Sequence, residues 1–112
     1  MKKITTLWIS KADEDYSIAT GLLRRRRIPA DGVCFHCQQS VEKYLKGFLQ
    51  ENMIRFNKTH DLLALLELAK KPIPHLVLLF DDFKFLNKYA VAFRYPGDDA
   101  DPVITVMLPD ED

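Results

Sequence analysis

At 112 residues the chain is long enough for one domain with a real but small core. Its 16 basic and 16 acidic side chains cancel, so no global charge draws it to nucleic acid or to a membrane surface. No apolar run approaches the ~18 residues of a membrane span, and no signal-peptide pattern opens the chain, so a cytoplasmic protein without a membrane partner is expected. The balance hides an asymmetry. Residues 1–58 hold 11 Lys/Arg against 6 Asp/Glu, and residues 59–112 hold 5 against 10. A basic half and an acidic half suit self-association or a polar partner.

The first helix is predicted over residues 5–26. Trp8, Ala12, Tyr16, Ala19 and Leu23 recur on one face. Arg24, Arg25, Arg26 and Arg27 close it, where the helix dipole favours positive charge, and Pro29 breaks the chain. The second helix is predicted over residues 31–51, with Cys34, Val41, Leu45 and Phe48 as its apolar face, flanked by Phe35 and Leu49. Cys34 and Cys37 form a single C-x-x-C, read as two small buried residues rather than a metal or redox site. Another sector of this helix, about 80° wide, carries His36, Gln39, Lys43, Lys46 and Gln50. It reads either as a solvated face or as a basic strip suited to phosphate.

The third helix is predicted to begin at Thr59 as N-cap with Asp61 in its first turn, to carry Leu62, Leu63, Leu65, Leu66 and Leu68, and to stop before Pro72. His60 sits at its start, where free backbone N–H groups accept anions. The fourth helix is predicted from near Pro74 to Pro96, with Leu76, Leu79, Phe83, Leu86, Ala90 and Phe93 on one stripe. Short connections make neighbours antiparallel, which gives an all-α, up-and-down four-helix bundle in a single domain, residues 1–112. Residues 97–112 are an acidic tail or the start of a further element. Asp110, Glu111 and Asp112 resemble the first turn of a helix that is missing or cut short.

Polar residues interrupt these apolar faces. Asn87 and Arg94 lie on the stripe of the fourth helix, Gln38 and Glu42 beside the apolar face of the second, and Asp15 on the first. A buried guanidinium requires a partner, so Arg94 is expected to pair with a carboxylate or amide among Asp15, Gln38, Glu42 and Asn87. The network either fixes helix register or lines a pocket or dimer seam. No Gly-rich phosphate loop, two-carboxylate metal signature or Ser/His/Asp order is present, and no metal or cofactor is expected.

Three stretches resemble the HEPN family, the higher eukaryotes and prokaryotes nucleotide-binding domain. They are Trp8 with Ala12 and Asp15; FHCQQSVEKYLKGFL at residues 35–49 followed by KTHDLLALL at 58–66; and YAVAFRYPGD at 89–98. The resemblance implies a homodimeric helical bundle that binds a nucleotide or RNA. It also implies a minimal nucleotidyltransferase as partner, in a toxin–antitoxin-like module. Arg94, Tyr95, Lys43, Lys46, His36 and His60 are the expected nucleotide or RNA contacts. Many members are metal-independent ribonucleases with an Arg, a polar residue, and a His four to six positions after the Arg. Here Arg94 is followed by Tyr95, the later positions hold Asp99, Ala100 and Asp101, and no His occurs after His75. The motif is incomplete, so ribonuclease activity is expected to be weak or absent. The alternative is a ribonuclease toxin that uses Arg94 with His60 or His36 as substitute base.

Overall fold

The computed structural model describes residues 1–94, with side chains through Tyr89. The predicted acidic tail, Tyr95 and the side chain of Arg94 lie outside the described residues. Four α-helices follow one another: α1 (Lys3–Leu23), α2 (Ala30–Glu51), α3 (Leu62–Ala69) and α4 (Phe80–Arg94), the last entered through a 3-10 segment, Pro74–Leu79. The expected all-α architecture is met, with no strand among the described residues. α2 is the hub. It packs against α1, α3 and α4; α3 and α4 pack on each other; α1 touches only α2 among the described residues.

The core lies on the α3/α4 side of α2. Leu45 and Leu49 meet Leu62, Leu65, Leu66 and Ala69 of α3 and Phe83 of α4, with Val41, Phe48, Ile54, Phe56, Leu76 and Leu86 around them. At eight residues α3 is too short to persist alone, so burial of its leucines holds it helical. On the other side α1 and α2 approach closely at Gly47, where an added Cβ would sit 3.0 Å from the Cβ of Trp8. Ser40 ties the pair by donating its hydroxyl to the Ala12 carbonyl at 2.9 Å.

Several expectations are corrected. α1 ends at Leu23, and the four arginines form turns beyond it instead of closing its last turn. Four adjacent like charges gain by spreading into solvent, and Pro29 already stops the helix. The buried line of α1 is Thr5, Ala12, Asp15 and Ala19 with half-buried Trp8, while Tyr16 and Leu23 are 59% and 51% exposed. Steps of four residues drift around a helix, whereas alternating steps of three and four stay on one seam. The N-cap of α3 is Asp61, not Thr59. The Asp61 carboxylate accepts from the Leu63 N–H at 2.9 Å, and Thr59 instead accepts from the Asp61 N–H at 3.0 Å. The predicted fourth helix opens as 3-10, so Leu79 leaves the stripe and is 39% exposed, while Phe83 stays buried. A 3-10 turn advances about 120° per residue, which shifts every position before Phe80 relative to α-helical register.

α2 ends in a Schellman arrangement. The Ile54 N–H donates to the Leu49 carbonyl at 2.8 Å and the Met53 N–H to the Gln50 carbonyl at 3.1 Å. This puts Met53 at φ 57°, the left-handed region that usually takes glycine.

At the rim of the α1–α2 seam, the Tyr44 hydroxyl donates to the Asp13 carboxylate. That hydrogen bond, with desolvation and the neighbouring charge, pushes the phenol up to about 12. A phenol raised in the folded state contributes stability that is fully present below its unfolded pKa of about 10. The contribution is lost as pH rises through the folded value of about 12. Alkaline titration read by tyrosinate absorbance should therefore show one late phenol, and Asp13→Ala should bring it back toward 10. Titration unchanged by that substitution would refute the assignment.

Candidate functional site

Glu42 is the centre of the most heavily bonded polar group in the described residues. It sits just past the middle of α2 and is 3% exposed. Its Oε2 accepts from Lys46 Nζ at 3.0 Å, one helical turn on, with the acid N-terminal to the base as i,i+4 pairs prefer. Its Oε1 lies 3.0 Å from His60 Nδ1 and accepts from Gln38 Nε2 at 3.3 Å. Gln38 is fully buried and fully used. Its Nε2 also donates to the His60 carbonyl at 2.9 Å, and its Oε1 accepts from Gln39 Nε2 at 2.7 Å. Lys46, itself buried, lies over the Trp8 ring, 5.6 Å from the centroid.

The Glu42 contact fixes the ring of His60. With Nδ1 facing the carboxylate, the neutral imidazole carries its proton there and keeps Nε2 as acceptor. The His60 side chain is 54% exposed, while its carboxylate partner is closed off from water. Directly after it, Asp61 caps α3 and also accepts from Asn87 Nδ2 at 2.7 Å, while Asn87 Oδ1 accepts from the Leu62 N–H at 2.8 Å. Asn87 thus clamps α4 onto the start of α3. Position 94 follows position 87 by two helical turns, about 10 Å along α4. Gln38 and Glu42 form one group and Asn87 with Asp61 forms a second, and no bond between the two is seen among the described residues. The expected pairing of Arg94 lies outside the described residues.

Asp15 forms a separate group. It is buried, with Oδ1 2.9 Å from His36 Nδ1 and Oδ2 accepting from Lys43 Nζ. His36 and Lys43 are seven residues apart on α2, so they stack on one face. Like His60, His36 has Nδ1 on a carboxylate, with its side chain 25% exposed.

The sector of α2 holding His36, Gln39, Lys43, Lys46 and Gln50 is not a solvated face. α1 covers it: Lys46 and Gln39 are buried, and Gln50 Oε1 accepts from Trp8 Nε1. The ammonium groups of Lys43 and Lys46 already have carboxylate partners. Sequence reasoning found the inward polar residues but not their pairing. Gln38–Glu42 and Glu42–Lys46, each at i,i+4, carried a readable signal; His60 reaches Glu42 from a loop with no periodicity. Cys34 and Cys37 are half-buried free thiols on α2, and burial raises both, further for Cys34 through its neighbours Cys37 and Asp31. At neutral pH they are held as unreactive thiols. No group of three or more His, Cys, Asp or Glu able to hold a metal ion occurs among the described residues. None of their helices is long and apolar enough to cross a membrane.

The fold and this arrangement define a helical domain whose buried carboxylates orient partly exposed imidazoles. The family model for the HEPN domain matches residues 5–108, and the chain belongs to the HEPN family. No curated protein and no solved structure gives a significant match.

Proposed function

We propose that this protein binds a nucleotide or a segment of RNA. The face is the one where His60, the Asp61-capped start of α3 and the C-terminal half of α4 with Arg94 converge. It acts as a homodimer and partners a minimal nucleotidyltransferase in a toxin–antitoxin-like module. Membership of the HEPN family supports nucleotide or RNA chemistry. The observation that carries the choice of face is His60: its ring is held by a buried carboxylate, it is itself open to solvent, and Asn87 links its neighbour Asp61 to the helix that ends at Arg94. An Arg supplies a fixed positive fork for phosphate, and a neutral imidazole Nε2 accepts from a hydroxyl. Tyr95, the other expected contact there, follows Arg94 in sequence and lies outside the described residues. Lys43, Lys46 and His36 serve mainly to hold α1 on α2.

Filter binding of short RNAs to the purified chain should give a salt-dependent affinity that falls in Arg94→Ala and in His60→Ala. Light scattering should give twice the 13.0 kDa monomer mass. Affinity unaffected by both substitutions would move the site elsewhere, and a monomer at micromolar concentration would remove the dimer.

A second reading, a metal-independent ribonuclease toxin, is favoured by the two carboxylate–imidazole pairs, Glu42–His60 and Asp15–His36. In each, the carboxylate faces Nδ1 and leaves Nε2 turned away from it, a candidate acceptor that Arg94 cannot be. Incubation with total RNA in the absence of metal should show at most slow cleavage. Cleavage that is lost in Arg94→Ala yet survives both His36→Ala and His60→Ala would exclude both substitute bases.

A further inference from the structure

Beyond Glu42, at the C-terminal end of α2, the described residues line a groove with a different chemistry. It has a volume of about 610 Å³ and is lined by Lys2, Trp8, Gln50, Met53, Ile54, Arg55, Phe56 and Asn57. That volume falls within the roughly 300–1,000 Å³ of small-ligand pockets. From Glu42 to Gln50 is eight residues, about 12 Å along α2, so the groove is distinct from the His60 face. Its walls are the start of α1, the end of α2 and the segment that follows the left-handed turn at Met53, which leaves that side chain 82% exposed at the mouth.

The lining combines two aromatic rings with two cations and contains no carboxylate. Arg55 is exposed and has no ion-pair partner among the described residues. Lys2 Nζ donates to the Gln50 carbonyl at 3.1 Å; on the rim the Lys2 backbone N–H donates to the Glu51 carboxylate at 2.9 Å. The Trp8 N–H is already committed to Gln50, so the indole offers apolar ring surface and no donor. Exposed Asn57 adds an amide with both donor and acceptor. Rings beside a guanidinium, an ammonium and an amide match two parts of a nucleotide: a planar base with a hydrogen-bonding edge, and an anionic phosphate. A carboxylate-rich peptide would use the cations and leave the rings without a role.

We propose that this groove is a second binding site for a nucleotide of single-stranded RNA, with Trp8 and Phe56 taking the base and Arg55 and Lys2 the phosphate. The proposal rests on the RNA-binding reading above and adds a second site at the C-terminal end of α2.

Trp8 is the only tryptophan in the chain, so its fluorescence reports this groove directly. The full chain is titrated with the trinucleotide AAA, with fluorescence and filter binding read on the same samples. A saturable change in Trp8 emission is expected. Arg55→Ala, on an exposed loop, should weaken it by about tenfold and lower its salt slope by about one. Lys71→Ala, an exposed turn residue that belongs to neither proposed site, should leave the fluorescence-read affinity within about twofold. Filter binding with silent Trp8 emission would overturn the groove while leaving the RNA reading intact. Absence of both signals would overturn both. An equal, Arg55-dependent change with a poly-glutamate peptide would overturn the nucleotide in favour of an acidic peptide.

Discussion

Replacing Glu42 with alanine should destabilise the domain by about 3–5 kcal/mol. The magnitude follows from what is left behind. Lys46 is 5% exposed and has no carboxylate but Glu42 among the described residues. Removing the acid strands an ammonium in the α1–α2 seam and takes an acceptor from Gln38, which is fully buried. Folded domains of this size are stable by only about 5–15 kcal/mol, so the loss approaches the whole margin. Replacing both partners by apolar residues of similar volume, as in Glu42→Leu with Lys46→Met, should restore much of the stability, because the penalty belongs to the unpaired charge rather than to the missing pair. Urea unfolding followed by circular dichroism would test this. A single substitution that costs less than about 1 kcal/mol, or a double one as damaging as the single, would mean that the seam admits enough water to solvate Lys46.

Leu65→Ala should cost about 2–5 kcal/mol. Leu65 is fully buried between α2 and α4, and α3 has only eight residues with which to hold its place. The functional consequence is specific. α3 carries the Asp61 cap, and the segment before it carries His60, so loosening the helix frees the imidazole from Glu42. RNA affinity at the proposed face should fall along with stability. Hydrogen exchange should rise through residues 52–69 more than in α1, which does not touch α3. Uniformly raised exchange would show instead that α3 opens only with the whole domain.

The sequence disclosed the helices because their apolar periods are long and their breakers strong: Pro29 and Pro72 fall between elements, and Pro74 opens the 3-10 segment. It disclosed that Asp15, Gln38, Glu42 and Asn87 turn toward the protein, since each sits on or beside an apolar face. Their partners were less accessible. Periodicity says which way a side chain points, not what faces it from another helix. Asp15 was one of four candidates for Arg94, whose side chain lies outside the described residues; it holds His36 and Lys43, because the supposedly outward sector of α2 is the one α1 covers. Thr59 and Asp61 are both good capping residues two positions apart, and only the backbone geometry decides between them. The 3-10 start of the fourth helix was invisible for a similar reason, since Pro74 suits the first turn of either helix type.

The one-sided attachment of α1 bears on how the molecule opens. α3, α4 and α2 share a leucine-rich core, whereas α1 is fastened to α2 by small residues and by polar contacts at Ser40, Gln50, Asp15 and the Tyr44–Asp13 pair. Such a seam yields to water more readily than packed leucines do, because water replaces its hydrogen bonds. If α1 opens ahead of the rest it does so as one unit, because among the described residues it packs on α2 alone. Because the RNA-binding face proposed here is assembled on α2, α3 and α4, a molecule with α1 released would keep that face while uncovering Lys43 and Lys46.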